Sequence, residues 1–142
     1  MKSILWVAFA LVAIALPMQA HAANNLIGKV TSVLDGDTIK IGDKKIRFVG
    51  VDAPELDSGR STATDAKNYV KAHCLNKPVV VNVNDPRPKD SSGRTLGLVY
   101  CNYETKSIEQ QELEKDYAVR WIQYACDHAN NEFWNSTFYH CP

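Results

Sequence analysis

Residues 33–55, VLDGDTIKIGDKKIRFVGVDAPE, constrain this chain more than any other stretch. Two runs rich in β-branched residues, Thr38–Ile41 and 45–51, flank Gly42-Asp43, the composition of a β-hairpin with a tight turn. Three carboxylates (Asp37, Asp52, Glu55) and one arginine (Arg47) are divided between its arms. With the turn centred on Asp43-Lys44, antiparallel pairing sets Asp52 opposite Asp35, with Asp37 two residues further along that strand. Acids distant in sequence then meet at one end of the hairpin. Two carboxylates held together repel unless something positive lies between them, and a hard cation is the usual answer. The local sequence thus predicts a metal site.

The hairpin belongs to a chain of 142 residues, enough for one domain and hardly for two. Residues 1–22 stand outside that domain. Lys2 gives a short positive start, residues 4–16 an apolar run, and Pro17 ends it before Ala20-His21-Ala22, an A-x-A cleavage pattern. The run is short for a membrane span and leads straight into polar Asn24-Asn25. This reads as a signal peptide cleaved after Ala22, leaving residues 23–142 as a periplasmic or secreted domain with no membrane attachment.

Export decides how four cysteines are read. Cys74, Cys101, Cys126 and Cys141 all follow the cleavage site, none in a C-x-x-C pair, so two disulfides are favoured over a zinc or redox site. Cys126–Cys141 would tie down a C-terminal tail poor in regular pattern, contributing about 3 kcal/mol in the chain-entropy model. Cys74–Cys101 follows by elimination. Net charge excludes less: 16 basic residues balance 16 acidic ones, whereas a tight duplex binder is usually basic overall. Any work on a polyanion must rely on local charge and a bound cation.

In chain order, residues 26–34 read as a first strand, the hairpin follows, and Pro54 with residues 57–60 makes a loop. Ala63, Ala66, Tyr69/Val70 and His73/Cys74 repeat at three-to-four spacing and predict a helix over 61–74. His73 reads as a helix-end surface residue without a partner. Residues 79–83 and 94–100 are strands, separated by a loop over 84–93. Ser107-x-x-Gln110 has the form of a capping box opening a second helix, 108–115. Its Glu109, Glu112 and Glu114 read as a solvated face. Residues 127–142 are aromatic and polar without a period. Five short strands with a helix between the third and fourth are the recipe of an OB-type Greek-key barrel. The fold class expected is α+β, mainly β: a five-stranded barrel with two main helices and a short C-terminal segment.

Asp35-Gly36-Asp37-Thr38, then Arg47-Phe48-x-x-Val51-Asp52-Ala53-Pro54-Glu55, then Gly93-Arg94, together resemble the staphylococcal (thermo)nuclease family. The resemblance runs over roughly residues 28–118. It implies an OB-fold phosphodiesterase that uses calcium to cut DNA and RNA and leaves 3′-phosphate ends. Carried over, Asp37 and Asp52 bind Ca2+ through carboxylates and Ala53, often threonine in that family, through its backbone carbonyl. Glu55 orients or deprotonates the attacking water, while Arg47 and Arg94 grip the phosphate. The chemistry agrees with these roles. Calcium favours oxygen ligands in flexible geometry, and a planar arginine fork holds two phosphate oxygens.

The chain departs from the family in two places. Ser91-Ser92 stand where the prototype has Lys-Tyr, which puts grip on a terminal phosphate in doubt, with Lys89 a partial substitute. The tail is too short for a full third helix, although Trp121 and Tyr124 offer stacking surface. Asp35 reads as a turn residue bonding nearby amides. Lys44, Lys45, Arg87 and Lys89 are either ordinary loop charges or a steering field for a phosphate backbone. The expectation is therefore a monomeric, exported, calcium-dependent nuclease on DNA and/or RNA, single strands preferred. Its main rival is a non-catalytic OB-fold module that binds nucleic acid or another partner. A third alternative is an exported interaction protein using its aromatic tail.

Overall fold

The computed structural model describes residues 25–83 and 87–121. The proposed signal peptide, Tyr124, Cys126, Cys141 and the aromatic tail lie outside them. Among the described residues no helix is long and apolar enough to cross a membrane.

Ten elements follow in order: β1 (Asn25–Lys29), β2 (Ser32–Val33), β3 (Thr38–Ile41), β4 (Lys44–Phe48), β5 (Val51–Asp52), α1 (Ser61–Cys74), β6 (Pro78–Val83), β7 (Thr95–Cys101), α2 (Ile108–Glu114) and β8 (Val119–Arg120). A 3-10 turn, Leu56–Ser58, precedes α1. Six strands form one mixed sheet in the order β1-β6-β7-β4-β3-β2, and β5 pairs with β8 in a second, two-stranded sheet. The result is mainly β with two helices, consistent with an OB-like fold.

The expected first strand is broken in two. Val30 and Thr31 separate β1, which pairs with β6, from β2, which pairs with β3, so one stretch supplies both edges of the six-strand order. At the break, Val30 N donates to Lys77 O and Thr31 N to Lys40 O, so the backbone changes partner without orphaning its amides.

The hairpin register also differs from expectation. Ile41 pairs with Lys44 and Thr38 with Arg47, so the turn holds only Gly42 and Asp43. Gly42 takes φ +58°, the left-handed region that glycine enters without steric cost. Asp52 is not opposite Asp35: the chain leaves β4 at Val49-Gly50, and Asp52 pairs instead with Val119. β4 lies parallel to β7, with Arg47 registered on Leu96. Ile39, Ile46, Phe48, Leu96 and Leu98 fill the core between these strands, each essentially inaccessible to water.

Helix α1 spans the expected residues and buries Ala63, Ala66, Val70 and Cys74 along one stripe. Small residues on that stripe let the acidic turn approach closely. A Cβ on Gly36 would sit 2.6 Å from Ala53 Cβ and 2.7 Å from Ala66 Cβ. Cys74 is disulfide-bonded to Cys101, fastening the end of α1 to the end of β7, as elimination had assigned. His73 does have a partner: its Nδ1 lies 2.9 Å from Glu104 Oε1, and its ring packs on Tyr69.

Candidate active site

The site is built on backbone already accounted for. Asp37 ends the 35–37 turn, where its amide donates to Asp35 Oδ1 at 3.0 Å, the role expected of Asp35. Thr38 pairs with Arg47 across the hairpin, and Phe48 N donates to Asp37 O, which brings the first acid beside the arginine. Asp37 Oδ1 accepts from Thr38 Oγ1 at 2.9 Å and its Oδ2 from Ala53 N at 3.0 Å.

Arg47 is the centre of the cluster. Its Nη1 donates to the carbonyls of Phe48 and Val51, both at 2.8 Å. Its Nη2 lies 3.1 Å from Asp37 Oδ2 and 3.0 Å from Asp52 Oδ1. The positive group between the two carboxylates is thus this guanidinium. The two acids meet water very differently, with side-chain exposures of 8% for Asp37 and 55% for Asp52. Burial pushes the Asp37 carboxyl up to about 6; Arg47 pulls it back, Asp35 adds to the rise, and the bonds from Ala53 and Thr38 oppose it. Trp121 covers Arg47 with its ring centroid 4.9 Å from the guanidinium carbon, and Trp121 N donates to Gly50 O. The residue expected as a stacking surface for a base packs on the arginine.

Glu55 follows Pro54 in extended backbone, with its carbonyl capping the 3-10 turn through Ser58 N at 3.0 Å. It is exposed, and its carboxylate makes no hydrogen bond or ion pair among the described residues. Arg94 precedes β7, two residues before the partner of Arg47. It does not join the Asp37–Arg47–Asp52 cluster; its Nε instead donates to Asp90 Oδ2 at 2.6 Å. Asp90 also accepts from the amides of Ser92 and Arg94. Burial pushes the Asp90 carboxyl up, but the Arg94 hydrogen bonds and charge outweigh it and hold it below its ordinary value. Asp90 is a residue the sequence reading missed. The signal was an acid four before the arginine in a glycine-containing turn.

The oxygen donors fit a hard cation: two carboxylates and the Ala53 carbonyl, with no nitrogen or sulfur among them. Among the described residues no three His, Cys, Asp or Glu side chains converge closely enough to hold a metal. A cation here would depend on backbone oxygen and water beside Asp37 and Asp52.

Two further carboxyls lie buried, correcting the solvated face expected for α2. Glu109 and Glu112 are both wholly inaccessible, and only Glu114 faces solvent. β4 leaves β7 after Val49 N donates to Gly97 O, so the next amide on that side, Val99 N, has lost its strand partner. Glu109 replaces it, accepting from Val99 N at 3.0 Å. Among the described residues Glu112 has no hydrogen-bond partner for either oxygen. The signal was the scarcity of aliphatics: Ile108 and Leu113 alone cannot make a buried face on a seven-residue helix. Burial raises Glu109 to about 8 against the pull of its hydrogen bonds and Arg47. Burial first, then Glu109, Asp37 and Asp35, raise Glu112 well above the ordinary value despite Arg47.

These folded-state values exceed the unfolded ones, so the associated stability is complete below pH 4.5 and is lost as pH rises, for Glu109 through about 8. Urea midpoints are expected to fall from pH 4.5 to pH 8 by an amount worth a few kcal/mol. Glu109→Gln, which keeps an acceptor for Val99, should flatten that decline. Glu112→Leu should stabilise by about 1–3 kcal/mol, because an unsatisfied buried polar group is removed. A loss of stability in Glu112→Leu at pH 8 would count against the unpaired carboxyl.

A family model described as staphylococcal nuclease homologue matches residues 45–137. The chain belongs to that family. It is 35% identical to the thermonuclease of Staphylococcus intermedius over 88 residues, 56% of this chain and 52% of that protein. With the thermonuclease of Staphylococcus hyicus identity is 33% over 106 residues, 69% of this chain and 60% of the relative. An uncharacterized endonuclease of Escherichia coli O157:H7 is 40% identical over 80 residues, 52% of this chain and 48% of that protein. The chain thus spans about half to three-fifths of the length of these curated relatives. Their names suggest nuclease activity, and hence nucleic-acid binding, at the level of the family.

Proposed function

We propose that this chain is an exported, calcium-dependent nuclease that hydrolyses phosphodiester bonds of DNA and/or RNA and leaves 3′-phosphate ends. The observation that carries the reading is the single Arg47 nitrogen shared by Asp37 and Asp52, which joins two acids and a guanidinium in one ion-paired unit. Residues 23–142 act as one domain, a monomer released to the periplasm or medium after removal of residues 1–22, and single strands are the preferred substrate. The broken first strand, present at both edges of the sheet, supports an OB-type five-stranded barrel for that domain.

Asp37, Asp52 and the Ala53 carbonyl hold Ca2+, which when bound supplies Lewis-acid stabilisation of charge on a phosphoryl oxygen. Glu55, exposed and unpaired among the described residues, takes the proton from the attacking water. Arg47 and Arg94 present fixed positive charge to the equatorial oxygens as negative charge develops there. Asp90 sets the direction of the Arg94 fork by holding Nε.

Mature protein mixed with single- and double-stranded DNA or RNA should cleave with calcium and be silent in a chelator. Oligonucleotide products should need phosphatase treatment before a polymerase extends them. Silence with every divalent ion tested overturns the enzyme and leaves a binding module; equal cleavage in chelator removes the metal. In the same assay Asp90→Asn should lower kcat/KM about tenfold through misaimed Arg94 and cost about 1 kcal/mol of stability. Unchanged kcat/KM would mean that Arg94 needs no such anchor.

A further inference from the structure

The overall charge of this chain is zero, yet its cations are not evenly spread. A cleft of about 570 Å3 opens between the tip of the β3–β4 hairpin and the turn before β7, and four cations line it: Lys44, Lys45, Lys89 and Arg94. Among the described residues Asp43 is the one carboxylate in its wall, and Asn25 adds a neutral polar group. The lysines are exposed, and none of them pairs with a carboxylate among the described residues.

The strand register shows why these charges converge. Ile46 pairs with Thr95, and Thr95 is bridged on its other side to Lys89. Neighbouring strands lie about 4.8 Å apart, so Lys45 and Lys89 flank the Arg94–Thr95 backbone from opposite sides. Lys45 and Arg47, two apart on β4, share a face and are separated along the strand by about 7 Å. Lys45 thus lies on the β4 face that carries Arg47, and Arg94, the second arginine proposed to hold the phosphate, lies in the wall of the cleft itself.

We infer that this cleft is a second anion subsite, a track for the phosphodiester backbone on one side of the phosphate held by Arg47 and Arg94. The inference rests on the nuclease reading for its orientation. The binding itself requires only a polyanionic strand. Phosphates spaced along a single strand match a row of lysines that pair with no carboxylate among the described residues. Steering by local charge also accounts for how a chain without net charge gathers a polyanion. The lysines contribute no group to bond cleavage, so their effect must depend on substrate length.

The test compares wild type with Lys44→Gln/Lys45→Gln on two substrates and in one binding assay. Fluorescence anisotropy with a labelled oligothymidylate, in calcium-free buffer, gives affinity against salt. The double variant should reduce the slope of log affinity against log salt by about 1.4, at roughly 0.7 per phosphate contact on a single strand, and weaken binding at about 50 mM salt near tenfold. Its kcat/KM should fall similarly on the oligonucleotide and stay within twofold on a dinucleotide with one phosphodiester. An unchanged slope overturns the track. An equal fall on both substrates also overturns it, because the lysines would then serve the cleavage site or the fold. If wild type binds with a Lys44/Lys45-dependent slope but cleaves nothing, the track stands and the nuclease reading fails. If wild type binds no oligonucleotide, both fail.

Discussion

Arg47→Lys is expected to lower cleavage about 100- to 1,000-fold and to destabilise the fold by about 1–3 kcal/mol, although charge is conserved. The guanidinium serves four oxygens at once: it donates to the Phe48 and Val51 carbonyls through Nη1 and to Asp52 through Nη2, and the same Nη2 is ion-paired with Asp37. An ammonium donates three hydrogen bonds from one point and cannot reproduce the fork. At least one acceptor in a nearly dry environment is then left unpaired; Asp37 is the expensive one to strand, at 8% side-chain exposure. The two carbonyls flank the bend at Val49-Gly50 that carries Asp52 away from β4, so the mutation should loosen the bend as well as the phosphate grip. Thermal melts and kcat/KM measured together check this. Near-native cleavage by Arg47→Lys would remove the phosphate clamp from the mechanism.

Glu55→Gln should produce the opposite pairing of effects: a fall in kcat of about 10²–10⁴-fold with stability unchanged within about 0.5 kcal/mol. Glu55 is exposed, and no protein group among those described depends on its carboxylate, so the fold loses nothing when an amide replaces it. The amide matches the carboxylate in size and has no basic oxygen to accept a proton. Oligonucleotide affinity should stay near wild type, which separates a lost base from a lost binding contact. Cleavage within tenfold of wild type would exclude Glu55 as the base. Together the two variants distinguish an acid that serves only chemistry from an arginine that serves structure and chemistry at once.

Local pattern made much of this legible. The stripe of Ala63, Ala66, Val70 and Cys74 announced α1, and Ser107 announced the start of α2, where its hydroxyl accepts from Gln110 N. The conjunction of Asp37, Arg47 and Asp52 was readable because their spacing in the hairpin is short. What the pattern concealed was set by tertiary partners. A turn centred one residue earlier than supposed shifted the hairpin register, and Asp52 found its strand partner 67 positions later, at Val119. Glu109 and Glu112 look like surface residues in sequence because helix propensity and charge do not record which side of α2 is covered. Glu109 is buried because β7 has an amide that β4 does not reach, a fact of strand length that no window around α2 contains. The expected cation between the acids has a protein counterpart in Arg47, since the same electrostatic demand admits either answer.

The pairing of β5 with β8 has a consequence for when the site comes into being. Asp52 is fixed by one of the last described strands, and Trp121, next after β8, closes over Arg47. Such long-range closure is slow compared with forming the β3–β4 hairpin, whose contacts are local. A growing chain therefore carries every acid of the cluster well before it can hold them in register. Chains cut short before Val119 would keep the full hairpin motif and still lack the strand that holds Asp52. Maturation of the site is in this sense a late event, timed by the arrival of the C-terminal part of the domain.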